Sequence, residues 1–154
     1  MPSSQSPRTA WMAILAKAPL ELLEESFQAL GTLPHYQYLR SPEIGLTMIR
    51  GRIEGTGAPF NLGEMTLTRC VVQIAGVQAD ELIAGFGYVA GRSQRHAELA
   101  ALGDALLQHP DWQSHVEGKV IQALQTAAQE KRAQITAQVA ATRVNFFTLK
   151  RGES

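Results

Sequence analysis

The spacing of apolar residues changes period twice along the chain. Trp11, Ile14 and Leu15 fall on one helical face behind Thr9, a capping residue type, and Leu22, Leu23, Phe27 and Leu30 repeat the pattern. Pro19 before that second run and Gly31 just after it are the residues expected at a helix start and a helix end. Two N-terminal helices are therefore predicted, preceded by Ser/Pro/Gln-rich residues 1–7 that are expected to be disordered.

From His35 to Ala90 the period becomes two, through Tyr36, Tyr38, Leu46, Met48, Ile53, Leu67, Val71, Val72, Ile74, Ile83, Phe86, Tyr88 and Val89. Four strands are predicted, at 34–40, 44–54, 64–75 and 82–90, with short links that favour an antiparallel meander. The stretch Gly55 to Gly63 is too rich in glycine and proline for a tight hairpin turn and is expected to form an exposed, shaped loop.

Helical spacing returns after Gly91. Ser93 is a candidate N-cap, and Ala97, Ala100, Ala101 and Ala105 make a small-residue face able to approach a sheet closely. From Asp111 onward Val120, Leu124, Ala128, Lys131, Ile135 and Val139 trace a stripe, with Gly118 weakening the helix near its start. A helix over 122–143 has a length of about 30 Å, enough for part of the stripe to overhang a small domain. The tail Val144 to Leu149 is apolar and strand-like, and is expected to be covered by a partner. The fold class that results is α+β: two N-terminal helices, a four-stranded mainly antiparallel sheet, and C-terminal helices with an extended tail.

Composition narrows the function more than the fold. A chain of 154 residues suits a single domain. Its 14 basic and 14 acidic side chains leave no net field to attract nucleic acid or an acidic membrane surface. Apolar residues make up 45% and charged ones 18%, which is far from a disordered composition. The lone cysteine, Cys70, excludes an intramolecular disulfide and points to a reducing compartment. No signal-like or membrane-spanning run is apparent, so a cytoplasmic location is expected.

Candidate chemistry is sparse. His35, His96, His109 and His115 lack the i, i+4 spacing of a helical metal site, so no metal is expected. Cys70 sits in the strand pattern Thr68-Arg-Cys-Val-Val72, where a buried, inert thiol is the ordinary outcome. Gly85-Phe-Gly87-Tyr-Val-Ala90 matches a dinucleotide fingerprint in form only. Its glycines lie inside a strand, where they more often mark close backbone packing.

There remain arginines beside glycines: Arg50, Arg52, Arg69, Arg92 and Arg95. Gly91 and Arg92 ahead of a helix, with His96 one turn on, suit a phosphate, because free N–H groups and the helix dipole favour negative charge. Arg69, Arg92, Arg95 and His96 are the phosphate-binding candidates. Surface ion pairs with Glu54, Glu64 or Glu98 are the simpler account of the same arginines.

Three blocks carry a resemblance that spans nearly the whole chain: Gly51 to Val71 (GRIEGTGAPFNLGEMTLTRCV), Gly87 to Gln108 (GYVAGRSQRHAELAALGDALLQ) and Thr142 to Glu153 (TRVNFFTLKRGE). With Trp11, and in this order, they resemble the G-subunit family of the bacterial carbon–phosphorus lyase system. One departure is Ala123, where the family tends to carry proline nearby, which softens its break before the last helix.

The resemblance implies a subunit of a cytoplasmic hetero-oligomeric core that displaces adenine from ATP with methylphosphonate, giving ribose 1-methylphosphonate 5-triphosphate. ATP is then a substrate of the complex, and no cofactor is expected on this chain alone. Carbon–phosphorus cleavage belongs in that family to another subunit with an iron–sulfur cluster, which a single cysteine cannot hold. Expected contacts to partner subunits are Gly57, Pro59, Phe60 and Asn61 in the loop, and Phe146, Phe147 and Arg151 in the tail. The alternative is a stand-alone small-anion binding or hydrolytic protein using Arg92, Arg95 and His96.

Overall fold

The computed structural model describes residues 7–78 and 80–142. Helices α1 (Pro7–Lys17) and α2 (Leu20–Gln28) lead into an antiparallel meander of β1 (Tyr36–Arg52), β2 (Pro59–Ala75) and β3 (Leu82–Ala90) in the order β1-β2-β3. Helix α3 (Gln94–Gln108) follows, then α4 (Pro110–Val116), a π turn at Glu117–Ile121 and α5 (Gln122–Ala141).

The α+β class and both N-terminal helices are present, but the sheet has three strands, not four. The segments expected as 34–40 and 44–54 are one strand, β1. Ser41-Pro42 reads as a break, yet the register shifts between Tyr38 and Arg40 and between Arg40 and Glu43 show that bulges absorb it. A bulge is one of the few places inside a sheet that tolerates proline.

The expected loop is also shorter than Gly55–Gly63. Arg52 pairs with Pro59 and Gly51 with Phe60, so β2 starts at Pro59 and the connection is 53–58. A single 3-10 turn at Ile53–Gly55 reverses the chain, with Glu54 (φ 51°) and Gly55 (φ 80°) both left-handed. At the N-terminus α1 begins at Pro7, the position where a missing N–H costs nothing, and Thr9 lies within the helix instead of capping it.

Helix α3 is the centre of the molecule. It is buried on every side from Leu99 to Leu107, as expected of a helix with neighbours all round. One face lies on Cys70, Val72 and Ile74 of β2 and on Gly85 and Gly87 of β3; Leu15, Leu23 and Phe27 of α1 and α2, and Val116, Val120 and Leu124 of the C-terminal helices, complete the core. Ser93 caps it, its Oγ accepting from the His96 N–H at 3.3 Å.

The helix from α4 to α5 runs without a break through the π turn that contains Gly118, a length of about 50 Å at the usual rise. Ala123 leaves the backbone N–H groups of this stretch intact. Leu124 is its last buried residue, and Ile135 and Val139 are exposed. The end of the tail, with Phe146, Phe147 and Arg151, lies outside the described residues.

Candidate functional site

β1 and β2 are each twice as long as β3, so the sheet narrows to a two-stranded ribbon past the end of α3. The root of this ribbon is tied to the body. The Gly91 N–H donates to Thr66 O at 2.9 Å, the Thr68 hydroxyl to Gly91 O at 2.7 Å, and Gln94 Nε2 to Pro42 O at 3.2 Å. Beyond it the arm extends about 30 Å from Ile44 to Arg52, at the rise of an extended strand.

A polar cluster braces β1 against α3 just before the root. Tyr36 donates its hydroxyl to Glu98 Oε1 at 2.6 Å, Tyr38 donates to the same oxygen, and Arg95 Nη1 donates to Glu98 Oε2 at 2.9 Å. The two phenol rings meet edge to face, 5.8 Å apart at 86°. Partial burial pushes the Glu98 carboxyl up, but the three hydrogen bonds outweigh it and hold the group below its usual range. Tyr36 is raised, first by burial and then by Glu98; Tyr38 is raised strongly, first by its bond to Glu98.

The phosphate-binding candidates do not converge. His96 is buried and its Nε2 lies 2.8 Å from Leu15 O, fastening α3 to α1. Arg95 is paired with Glu98 and, at 3.4 Å, with Glu24. Arg92 is exposed beside Gly91. Arg69 sits on the other side of the sheet, because its neighbours Thr68 and Cys70 are buried on the α3 side and strand side chains alternate. There Arg69 Nε lies 2.5 Å, and Arg40 2.7 Å, from Glu43 Oε1. These bonds, from Arg40 and then Arg69, hold the Glu43 carboxyl below its ordinary value.

The loop candidates form the tip of the arm. Gly57 donates its N–H to Ile53 O at 2.8 Å and accepts from Arg52 at 3.0 Å; a Cβ at Gly57 would stand 2.8 Å from that same Ile53 oxygen. Pro59, Phe60 and Asn61 are the first residues of β2, with the Phe60 ring and Leu62 exposed.

Residues 6–152 match the family described as phosphonate metabolism protein PhnG. A relative from Rhizobium meliloti (strain 1021), alpha-D-ribose 1-methylphosphonate 5-triphosphate synthase subunit PhnG, is 38% identical over 148 residues, covering 95% of this chain and 90% of its own. The chain belongs to the PhnG family. In this PhnG fold the block Gly51–Val71 is the arm tip and β2, and Gly87–Gln108 is the end of β3 with α3.

Sequence reasoning missed two features of this PhnG-family chain. Tyr36 and Tyr38 were legible only as alternating strand residues, and nothing local connects them with Glu98. Asp104 is a fully buried carboxylate that accepts from Arg8 Nε at 3.1 Å and Nη2 at 2.7 Å, Trp11 Nε1 at 2.9 Å and the Phe86 N–H at 2.9 Å. An acid in the midst of Ala100-Ala-Leu-Gly-Asp-Ala-Leu-Leu107 was the available signal. No helix among the described residues is long and apolar enough to cross a membrane.

Proposed function

We propose that this chain is a subunit of an α-D-ribose 1-methylphosphonate 5-triphosphate synthase in the cytoplasm, where it supports the transfer of methylphosphonate to the ribose of ATP with loss of adenine. It acts with the other subunits of that synthase, binds no cofactor by itself and has no activity alone. The identity to a synthase subunit over nearly the full length of both chains supports the assignment. The observation that carries the supporting role is the arm: it exposes Ile44, Leu46, Met48, Ile53, Phe60 and Leu62 together, a concentration of bare apolar side chains of the kind that marks an interaction surface.

The experiment is adenine release from ATP plus methylphosphonate by the co-expressed synthase, with and without this chain, and by this chain alone. Activity is expected only in the complete assembly. Release by the isolated chain overturns the supporting role; full release by an assembly lacking it overturns the assignment as a subunit required for the reaction.

A further inference from the structure

A three-stranded sheet has two edges, and each presents backbone N–H and C=O groups that another strand can pair with. On β3 side chains occupy the middle of that edge. The Phe86 N–H donates to Asp104, and Ala84 O accepts from Gln108 Nε2 at 3.0 Å and from Arg8 at 3.5 Å. On β1 it is open. From Glu43 to Ile49 the strand keeps unbroken register with Arg69 to Gly63, and its outer edge has no backbone partner among the described residues.

The devices that normally blunt an exposed edge are missing from this stretch. Ile44-Gly-Leu-Thr-Met-Ile49 holds no charge and no proline, and the bulges lie on either side of it. The arm's two faces are apolar as well. Ile44, Leu46 and Met48 lie on one, opposite Thr68, Thr66 and Glu64; Ile49, Met65 and Leu67 lie on the other. Leu46 is 67% exposed and Leu62 63%.

The bare area of the seven largest exposed apolar side chains of the arm is on the order of 700 Å², taking about 200 Å² for each large side chain. A standard interface buries about 800 Å² on each partner, so the arm alone supplies most of one.

We propose that residues 43–67 are an insertion arm clasped by another subunit of the synthase, which adds an extended strand along the Glu43–Ile49 edge and covers both apolar faces. This rests on the subunit assignment made above. Unsatisfied main-chain groups in a row specify a strand, not a helix, as the element on that edge. A second copy fits less well. Two β1 edges paired about Leu46 would set Ile44 against Met48 of the other copy and satisfy the backbone, yet leave both faces of the ribbon in water.

The test is amide hydrogen exchange on the full chain, free and in the co-expressed synthase, with a Leu46→Asp/Met48→Asp variant beside it and Val77→Asp as an exposed control. The outward-facing amides of 44–49 are expected to exchange freely in the free chain and to slow about 100-fold on assembly, as an opening-limited bond does. Recovery of the double variant with the other subunits is expected to fall at least about tenfold, as for a hot-spot residue, with Val77→Asp unchanged.

If the wild-type chain assembles and 44–49 stays unprotected, the arm proposal is overturned while the subunit assignment stands. If the wild-type chain never assembles, the subunit assignment falls first. Protection of 44–49 in the isolated chain together with a doubled mass identifies a second copy as the occupant and overturns the proposal. Should the double variant fail to fold, exchange on the wild-type protein still decides.

Discussion

Gly85 of β3 lies directly under Ala101 of α3: a Cβ built on Gly85 would stand 2.1 Å from the Ala101 carbonyl oxygen. Gly87 meets Ala97 O at the same 2.1 Å one helical turn away. The glycine pair that mimics a dinucleotide fingerprint is therefore the seat of the central helix. Both contacts are to backbone, which cannot swing aside. Gly85→Ala or Gly87→Ala is expected to cost about 3 kcal/mol, at the upper end for overpacking, or to prevent folding. Gly45→Ala, with nothing within 4 Å of its Cβ, is the control for urea denaturation and is expected to stay near wild type.

Asp104 concentrates more structure than any other polar residue described. Its carboxylate is 0% exposed and collects α1 through Arg8 and Trp11, and β3 through Phe86. Asp104→Ala leaves the Trp11 and Phe86 N–H groups and the half-exposed Arg8 without their acceptor. With Arg8 able to reach solvent, the two N–H donors left without an acceptor set the cost, and the chain is expected to lose about 3 kcal/mol of stability. In thermal melts this outweighs Arg8→Ala, which removes two of the four hydrogen bonds to the carboxylate and leaves the Trp11 and Phe86 donors in place. Equal losses from the two substitutions would show that Arg8 alone matters.

What the sequence made legible were elements defined by local pattern. Helices α2 and α3, the Ser93 cap and the close packing of Gly85 and Gly87 follow from spacing and residue type within one segment. The merging of two expected strands into β1 did not, because a bulge at Pro42 looks locally like a turn. The Arg95–Glu98 ion pair was among those expected, but the tyrosines that join Glu98 and the Arg8 and Trp11 donors to Asp104 were not legible for a different reason: they are 60 to 62 and 93 to 96 residues away along the chain. The candidate arginines followed from their neighbours in the sequence, and those neighbours do not say that Arg69 and Arg95 lie on opposite sides of a sheet.

Cys70 makes a simple chemical prediction. Burial, with a smaller push from the charge of Glu98, raises its thiol to about 11, and the side chain is 0% exposed. At neutral pH almost none of it is thiolate, and the thiol instead faces Arg40 O at 3.5 Å. Alkylation by iodoacetamide at pH 8 is expected to be slower than that of a free thiol by at least about 100-fold, limited by opening of the sheet, and to recover in urea. Fast labelling of the folded chain would mean that α3 lifts readily from the sheet at this point.

Glu98 gives the sheet's brace a pH signature with two ends. Its folded carboxyl lies below the ordinary 4.5, so its stabilising effect is complete above that value and is lost as pH falls through the folded one. Tyr36 and Tyr38 lie above the ordinary 10.0, so their share is complete below it and is lost as pH rises through the folded values. Comparison of wild type with Glu98→Gln should therefore show a constant stability gap between these limits, narrowing outside both. Hydrogen bonds to a charged group suggest a gap of about 2 kcal/mol. Tyr36→Phe is expected to remove about half of it, because Tyr38 and Arg95 still hold the carboxylate. A gap of the same size at pH 3 as at pH 7 would mean that the carboxylate charge contributes nothing, leaving side-chain packing alone to fix the angle at which the arm leaves the body.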